Sequence, residues 1–241
     1  MKVKVIAISS IVFVIITIVG GVIAMKHKRD DVCKNVVIKI TDDYKLGLIT
    51  ANGIENCLKK NELYPLDKSF SKINCEEIED VLRNEDMMIG EVECYKMTGG
   101  EVVINIWQRN PIMEVKTKQA HYFVDENRKI IPYRSSNNVD FIHVSGRMSE
   151  DFVLNEVFDL VHWLQEDKYW RDKVSQIIVV NETYVELQLQ KITPVIILGE
   201  IKDYDTRMHK MQVLLSKNEN DNINQFREID LRFGGQVICR K

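Results

Sequence analysis

Proline and glycine are scarce in this chain, four and eleven among 241 residues. That scarcity argues against long disordered regions. A basic excess is also missing. Lys and Arg number 33 against 36 Asp and Glu, for a net charge of −3. Nucleic acid is therefore not expected as the main partner, because phosphate binding leaves a basic footprint on the domain. There is no C-x-x-C, which excludes a zinc ribbon and a thioredoxin-like motif. Cys33, Cys57, Cys75, Cys94 and Cys239 are odd in number and no two are close in sequence. That is unlike a secreted disulfide scaffold, and the cysteines read mainly as small core hydrophobes.

Catalytic signatures are lacking as well. There is no G-x-S-x-G, no glycine-rich phosphate loop ending in Lys and no EF-hand loop. His27, His121, His143, His162 and His209 are scattered. His162 and Glu166 share a helical spacing, for which a surface pair is the plain reading. Glu76, Glu77, Glu79 and Asp80 form a solvated helix face. Trp107, Trp163, Tyr169 and Trp170 sit among core-type residues and read as packing anchors. Asn181-Glu182-Thr183 fits a glycosylation sequon, a triplet that often arises by chance. No catalytic, cofactor-binding or metal-binding residue is assigned, and the chain is expected not to be an enzyme.

What the sequence does hold is one long apolar run. Residues 5–25 carry no charge, and at the helical rise they span roughly 30 Å, one hydrocarbon core. A cleaved signal peptide is the rival, with Lys2 and Lys4 as its basic region and Val22-Ile23-Ala24 as its cleavage site. The run exceeds the usual apolar core of such a peptide, about 7–15 residues, so an uncleaved anchor is expected. Lys2 and Lys4 before it and Lys26, Lys28 and Arg29 after it leave the positive-inside comparison close to a tie. Residues 1–4 make a short tail, and all fold-capable chain follows residue 30.

Beyond the anchor, residues 33–40 read as a strand. Thr50 caps a helix carrying Ile54, Cys57 and Leu58 that Pro65 closes, and Asn74 caps a second with Ile73, Ile78, Val81 and Leu82. Strands over 90–97 and 101–107 flank Thr98-Gly99-Gly100, a hairpin signal. Pro111 marks a break, and short strands are expected over 112–116, 120–124, 129–133 and 141–144, the last ended by Ser145-Gly146. Ser149 opens a strong amphipathic helix with Phe152, Val153, Val157, Leu160, Val161 and Leu164 on one stripe. A hairpin over 177–180 and 184–189, a strand over 193–198 and a helix over 205–216 follow. The stretch 228–233 alternates polar and apolar residues, and 236–240 forms a terminal strand. The fold class is α+β, a β-α-α-β-β unit and then a larger mixed sheet with two helices.

This layout resembles the bacterial cell-division FtsQ family (DivIB in some lineages), especially its Bacteroidetes-like versions. The β-α-α-β-β unit matches a POTRA domain, closed by Arg109-Asn110-Pro111 as an R-x-P. The segment 141–146 (FIHVSG) resembles the family's strand before the long helix. Val195-Ile196-Ile197-Leu198-Gly199 and the helix containing Lys210 resemble its penultimate strand and helix. Ile229-Asp230-Leu231-Arg232-Phe233 resembles a terminal hydrophobic-D-L-R-aromatic strand. The implied organisation is a cytoplasmic tail (1–4), a transmembrane helix (5–25), a POTRA domain (33–110) and a C-terminal β domain (111–241) ending in an edge strand.

The resemblance implies a non-enzymatic divisome scaffold without cofactors. It would sit in the inner membrane at the division septum, single-pass type II with the C-terminal region periplasmic. Its partners would be FtsB-like and FtsL-like small coiled-coil proteins and other divisome membrane proteins, with no small-molecule substrate. In the family a partner adds a strand to the last edge. Carried over, the partner-binding residues are Arg232 and Phe233 of the penultimate strand and Gln236, Val237, Ile238, Cys239 and Arg240 of the edge. Ile229 and Leu231 are expected to be core. A proline at Ile238 is expected to remove a ladder donor and break partner pairing. Other readings are a membrane-anchored periplasmic POTRA protein of envelope assembly and an anchored cell-wall enzyme with an unrecognised site.

Overall fold

The computed structural model describes residues 32–42, 47–134, 141–217 and 222–241. The tail 1–4 and the apolar run 5–25 lie outside these residues. Among the described residues, no helix is long and apolar enough to cross a membrane. The chain forms two compact units.

The first carries β1 (Asn35–Thr41), α1 (Ala51–Lys60), α2 (Cys75–Glu85), β2 (Ile89–Met97) and β3 (Glu101–Gln108), in the expected order. Its strands lie as β1-β3-β2. Both helices start at side-chain caps that satisfy otherwise orphaned backbone donors. Thr50 Oγ1 accepts the Gly53 N–H at 3.1 Å, and Asn74 Oδ1 accepts that of Glu77 at 3.4 Å. α1 stops at Lys60, short of Pro65, where Glu62 takes a left-handed φ of +58°. Ile54 and Leu58 of α1, Ile78 and Leu82 of α2, and Val102, Ile104 and Ile106 of β3 are buried.

The second unit holds β4 (Pro111–Lys116), β5 (His121–Asp125), β6 (Ile130–Pro132), β7 (Ile142–Gly146), helix α3 (150–166), β8 (Val174–Asn181), β9 (Tyr184–Leu189), β10 (Val195–Gly199), α4 (Tyr204–Lys217), β11 (Glu228–Asp230) and β12 (Ile238–Arg240). Its sheet order is β12-β11-β10-β9-β8-β7-β4-β5-β6. The neighbours β4/β7, β7/β8 and β10/β11 are parallel, and the remaining neighbours are antiparallel. Parallel neighbours need a crossover. α3 supplies it between β7 and β8, and α4 between β10 and β11. The stripe expected on α3 is the buried one: Val153, Val157, Leu160, Val161 and Leu164 pack in one core with Val144, Ile177, Val185, Leu187, Ile196, Ile229, Met208 and Met211.

α3 departs from a plain α-helix. Its first turn, Glu150–Phe152, runs into a π turn, Val153–Val157, and then into Phe158–Glu166, with the Phe158 N–H reaching back to the Val153 carbonyl. Side chains take two carbonyls of this region. Asn155 Nδ2 donates to Asp151 O at 2.8 Å, and Arg128 Nη1 donates to Leu154 O at 2.5 Å.

β7 does not end at Val144 as expected. It runs through Ser145 and Gly146, and Gly146 pairs with Val179 of β8. Gly146 has φ +126°, and a Cβ there would stand 1.9 Å from the Val179 carbonyl oxygen. The glycine permits the close approach of the two strands rather than stopping one of them. Arg109 also has a structural role: its Nη1 reaches Asp125 Oδ2 at 3.0 Å, and Asp125 is buried. Asp125 Oδ1 in turn accepts the N–H groups of Asn127 and Lys129, which shapes the β5–β6 turn.

Candidate partner-binding site

The candidate site is the β11–β12 end of the second unit's sheet, which the chain reaches from β10 through α4. β11 runs parallel to β10, with Val195, Ile196 and Ile197 opposite Glu228, Ile229 and Asp230. Ile229 and Leu231 point into the core, and both are completely buried. Asp230, on the other face, is also 0% exposed. A buried carboxylate needs partners, and Asp230 has two. Its Oδ1 accepts from Arg232 Nε at 2.9 Å and Oδ2 from Arg232 Nη2 at 2.8 Å, while Arg240 Nη2 reaches Oδ2 at 3.3 Å. The Arg232 hydrogen bond, outweighing burial, holds the Asp230 carboxyl below its ordinary range.

This pairing also ends the strand. Asp230 Oδ1 accepts the Arg232 backbone N–H at 3.2 Å, a donor that a continuing ladder would have used. The strand expected over 228–233 therefore stops at Asp230. Arg232 and Phe233 lie in the following turn, not in the penultimate strand. Likewise β12 begins at Ile238, and Gln236 and Val237 precede it. Gly234 and Gly235 complete the turn.

The turn is held from three sides. Lys210 Nζ of α4 donates to the Phe233 carbonyl at 2.7 Å and lies 3.4 Å from that of Gly234. The Arg232 guanidinium stands 5.1 Å from the Tyr184 ring centroid, within cation–π range. Its stem crosses Gly199, which has φ +81° and where a Cβ would meet Arg232 Cγ at 2.8 Å. The turn presents Phe233 to solvent at 41% exposure.

β12 pairs antiparallel with β11, with Arg240, Cys239 and Ile238 opposite Glu228, Ile229 and Asp230. Arg240 Nη1 meets Glu228 Oε2 at 3.1 Å. Val237 and Cys239 rest partly buried against the core. The Arg240 carbonyl accepts the Arg227 N–H at 2.8 Å, so Arg240 turns its backbone groups toward β11. Alternate residues present their groups to the same side, which turns Ile238 inward as well and Cys239 outward. The outward donor that a proline would remove therefore belongs to Cys239, not to Ile238. β12 is the last strand of the sheet, and its outer side has no strand beyond it among the described residues.

All seven residues expected to bind a partner thus fall within one terminal turn and strand. Sequence reasoning missed Tyr184 and the load on Asp230. The second had a signal, since Asp230 and Arg232 stand two apart, a spacing that brings side chains to one face of an extended chain. Elsewhere, His162 and Glu166 form an exposed pair at 3.6 Å. Among the described residues, no group of three or more His, Cys, Asp or Glu could hold a metal ion.

Comparison with known proteins gives two matches. A family model described as FtsQ/DivIB, C-terminal related, matches residues 110–240. A POTRA-like domain model matches residues 31–107. No curated protein matches the chain.

Proposed function

The chain belongs to the FtsQ/DivIB family of non-enzymatic cell-division scaffolds, and from that premise we propose that it recruits its partners by strand addition at β12. The observation that carries the reading is the outer side of β12, which no strand among the described residues covers, beside an exposed Phe233. Unpaired backbone groups on a sheet edge are a template for another strand and a liability when left uncovered. A partner strand here would draw affinity from the backbone groups of Cys239 and its outward neighbours. It would draw specificity from Phe233, Arg232 and Arg240.

FtsB-like and FtsL-like small coiled-coil proteins are the proposed partners, with other divisome membrane proteins in the same assembly. The apolar run 5–25 is proposed as the single inner-membrane anchor, with 1–4 cytoplasmic and 33–110 and 111–241 forming the POTRA and β domains on the periplasmic side. Anchoring both partners in one membrane raises their effective concentration, so a short strand suffices. The test is a pull-down of FtsB-like and FtsL-like proteins with the full-length chain in detergent and with a version ending at Gly235. Capture by the intact chain alone supports strand addition. Capture by both forms moves the site off β12, and capture by neither, with both folded, refutes the scaffold reading.

A further inference from the structure

We propose that the cavity at the start of β4, β7 and β8 is a binding site for a short apolar peptide with free ends. Pro111, Ile142 and Val174 open these three parallel neighbours and line one cavity of about 860 Å³ within the second unit. That volume lies in the range of small-ligand pockets, about 300–1,000 Å³, and exceeds what a single amino acid needs. Its apolar wall continues through Ile112 and Phe141. None of the seven residues of the terminal turn and strand lines it, so it does not belong to the proposed edge.

The fold sets the polar groups of this cavity and leaves hydrogen-bonding atoms of three of them free. Gln165 Nε2, in the last turn of α3, donates to the Ile112 carbonyl at 3.0 Å and ties the helix end to β4. Arg171 Nε donates to the Gln165 carbonyl at 2.8 Å. That bond fills one of the carbonyls a helix end leaves open and fixes the guanidinium. The η nitrogens of Arg171 meet no protein group among the described residues. They form the fork that pairs with a carboxylate. Asp172 lines the same cavity, and its carboxylate has no partner among the described residues. His143 lines it too, and its Nδ1 stands 3.0 Å from Glu114 Oε2. An ionised carboxylate only accepts, so Nδ1 carries the hydrogen and Nε2 of the neutral ring is an acceptor.

These groups define the ligand. One guanidinium fork beside one free carboxylate disfavours a dianion such as a phosphate monoester and suits a ligand that carries both charges. The ligand's terminal carboxylate pairs with Arg171. Its ammonium and N–H groups meet Asp172 and His143 Nε2, and the negative end of α3 favours a cation as well. Its apolar side chains cover Ile112, Phe141 and Val174. The outcome is independent of which partner the terminal edge binds.

The test is isothermal titration calorimetry of the full-length chain in detergent with the tripeptide Ala-Leu-Ala, its C-terminal amide and its N-acetyl form. The free tripeptide should bind at millimolar concentration or below. Each capped form should bind about tenfold more weakly or worse, the loss of one charged pair. Arg171→Gln should erase the preference for the free carboxylate, and Asp172→Asn the preference for the free ammonium, with far-UV spectra as the folding control. Asp172→Asn breaks no bond of the fold, so it tests the site even if Arg171→Gln lowers stability. No binding of millimolar tripeptide by the folded wild-type chain would overturn the proposal. So would equal binding of the free and capped forms, or a preference that both variants retain.

Discussion

Asp230 shows how one residue organises the candidate site. It is fully buried, yet it binds two partly exposed arginines and ends its own strand. Replacing it with Asn leaves the shape and removes the charge, and should cost about 1–3 kcal/mol of stability. The pH dependence has a definite sign. The folded carboxyl lies below its ordinary 3.8, so its contribution is complete above that value and is lost as pH falls through the folded value. The gap in melting temperature between wild type and Asp230→Asn should therefore be constant near neutrality and close in acid below pH ~4. A gap that persists unchanged to pH 2 would remove the ion pair from the account. Phe233 should behave in the opposite way. Being 41% exposed, it contributes little to folding, and Phe233→Ala should leave the melting temperature nearly unchanged. Partner affinity should fall by about 2 kcal/mol or more, roughly thirtyfold in Kd. Isothermal titration calorimetry reads the affinity, and a thermal melt reads the integrity of the fold.

Helices and strands were legible where a local rule decides them. Thr50, Asn74 and Ser149 each cap the helix that their position announces. The α3 stripe identifies the face that packs on the sheet. Ser149 Oγ accepts the Phe152 N–H at 3.2 Å, and Ser149→Ala should lower stability by about 1 kcal/mol, measurable by urea denaturation. Local rules fail where a tertiary contact overrides them. Alternation over 228–233 reads as one long strand because Asp230 and Arg232 look like outward residues. The carboxylate is instead buried and takes the backbone donor that would have extended the strand. Ser145-Gly146 reads as a stop because glycine punctuates loops. Its function depends on Val179, which the sequence does not place beside it. Gly146→Ala should cost about 3 kcal/mol or more, since both φ and the Val179 carbonyl oppose a Cβ. A stable, fully folded Gly146→Ala protein would show that the β7–β8 contact can yield.

At the scale of the whole molecule, the order of elements carried the family, although each motif was short. The POTRA-like match over 31–107 and the FtsQ/DivIB match over 110–240 fall on successive parts of that order. The bond from the Cys94 N–H to Glu79 Oε1 at 2.7 Å was not legible, because it forms only where α2 packs on β2. For the apolar run 5–25, the account expects the 28.1 kDa chain to stay in the membrane fraction after alkaline washing. A shortened soluble product would favour a cleaved signal peptide.

The central claim is strand addition at β12, and amide hydrogen exchange on the full-length chain with and without the proposed coiled-coil partner tests it most directly. The account predicts that the segment 236–241 exchanges readily when free and becomes protected in the complex, with Cys239 the most affected amide. Unchanged exchange over 236–241, with protection arising elsewhere on a chain that still binds, would contradict it.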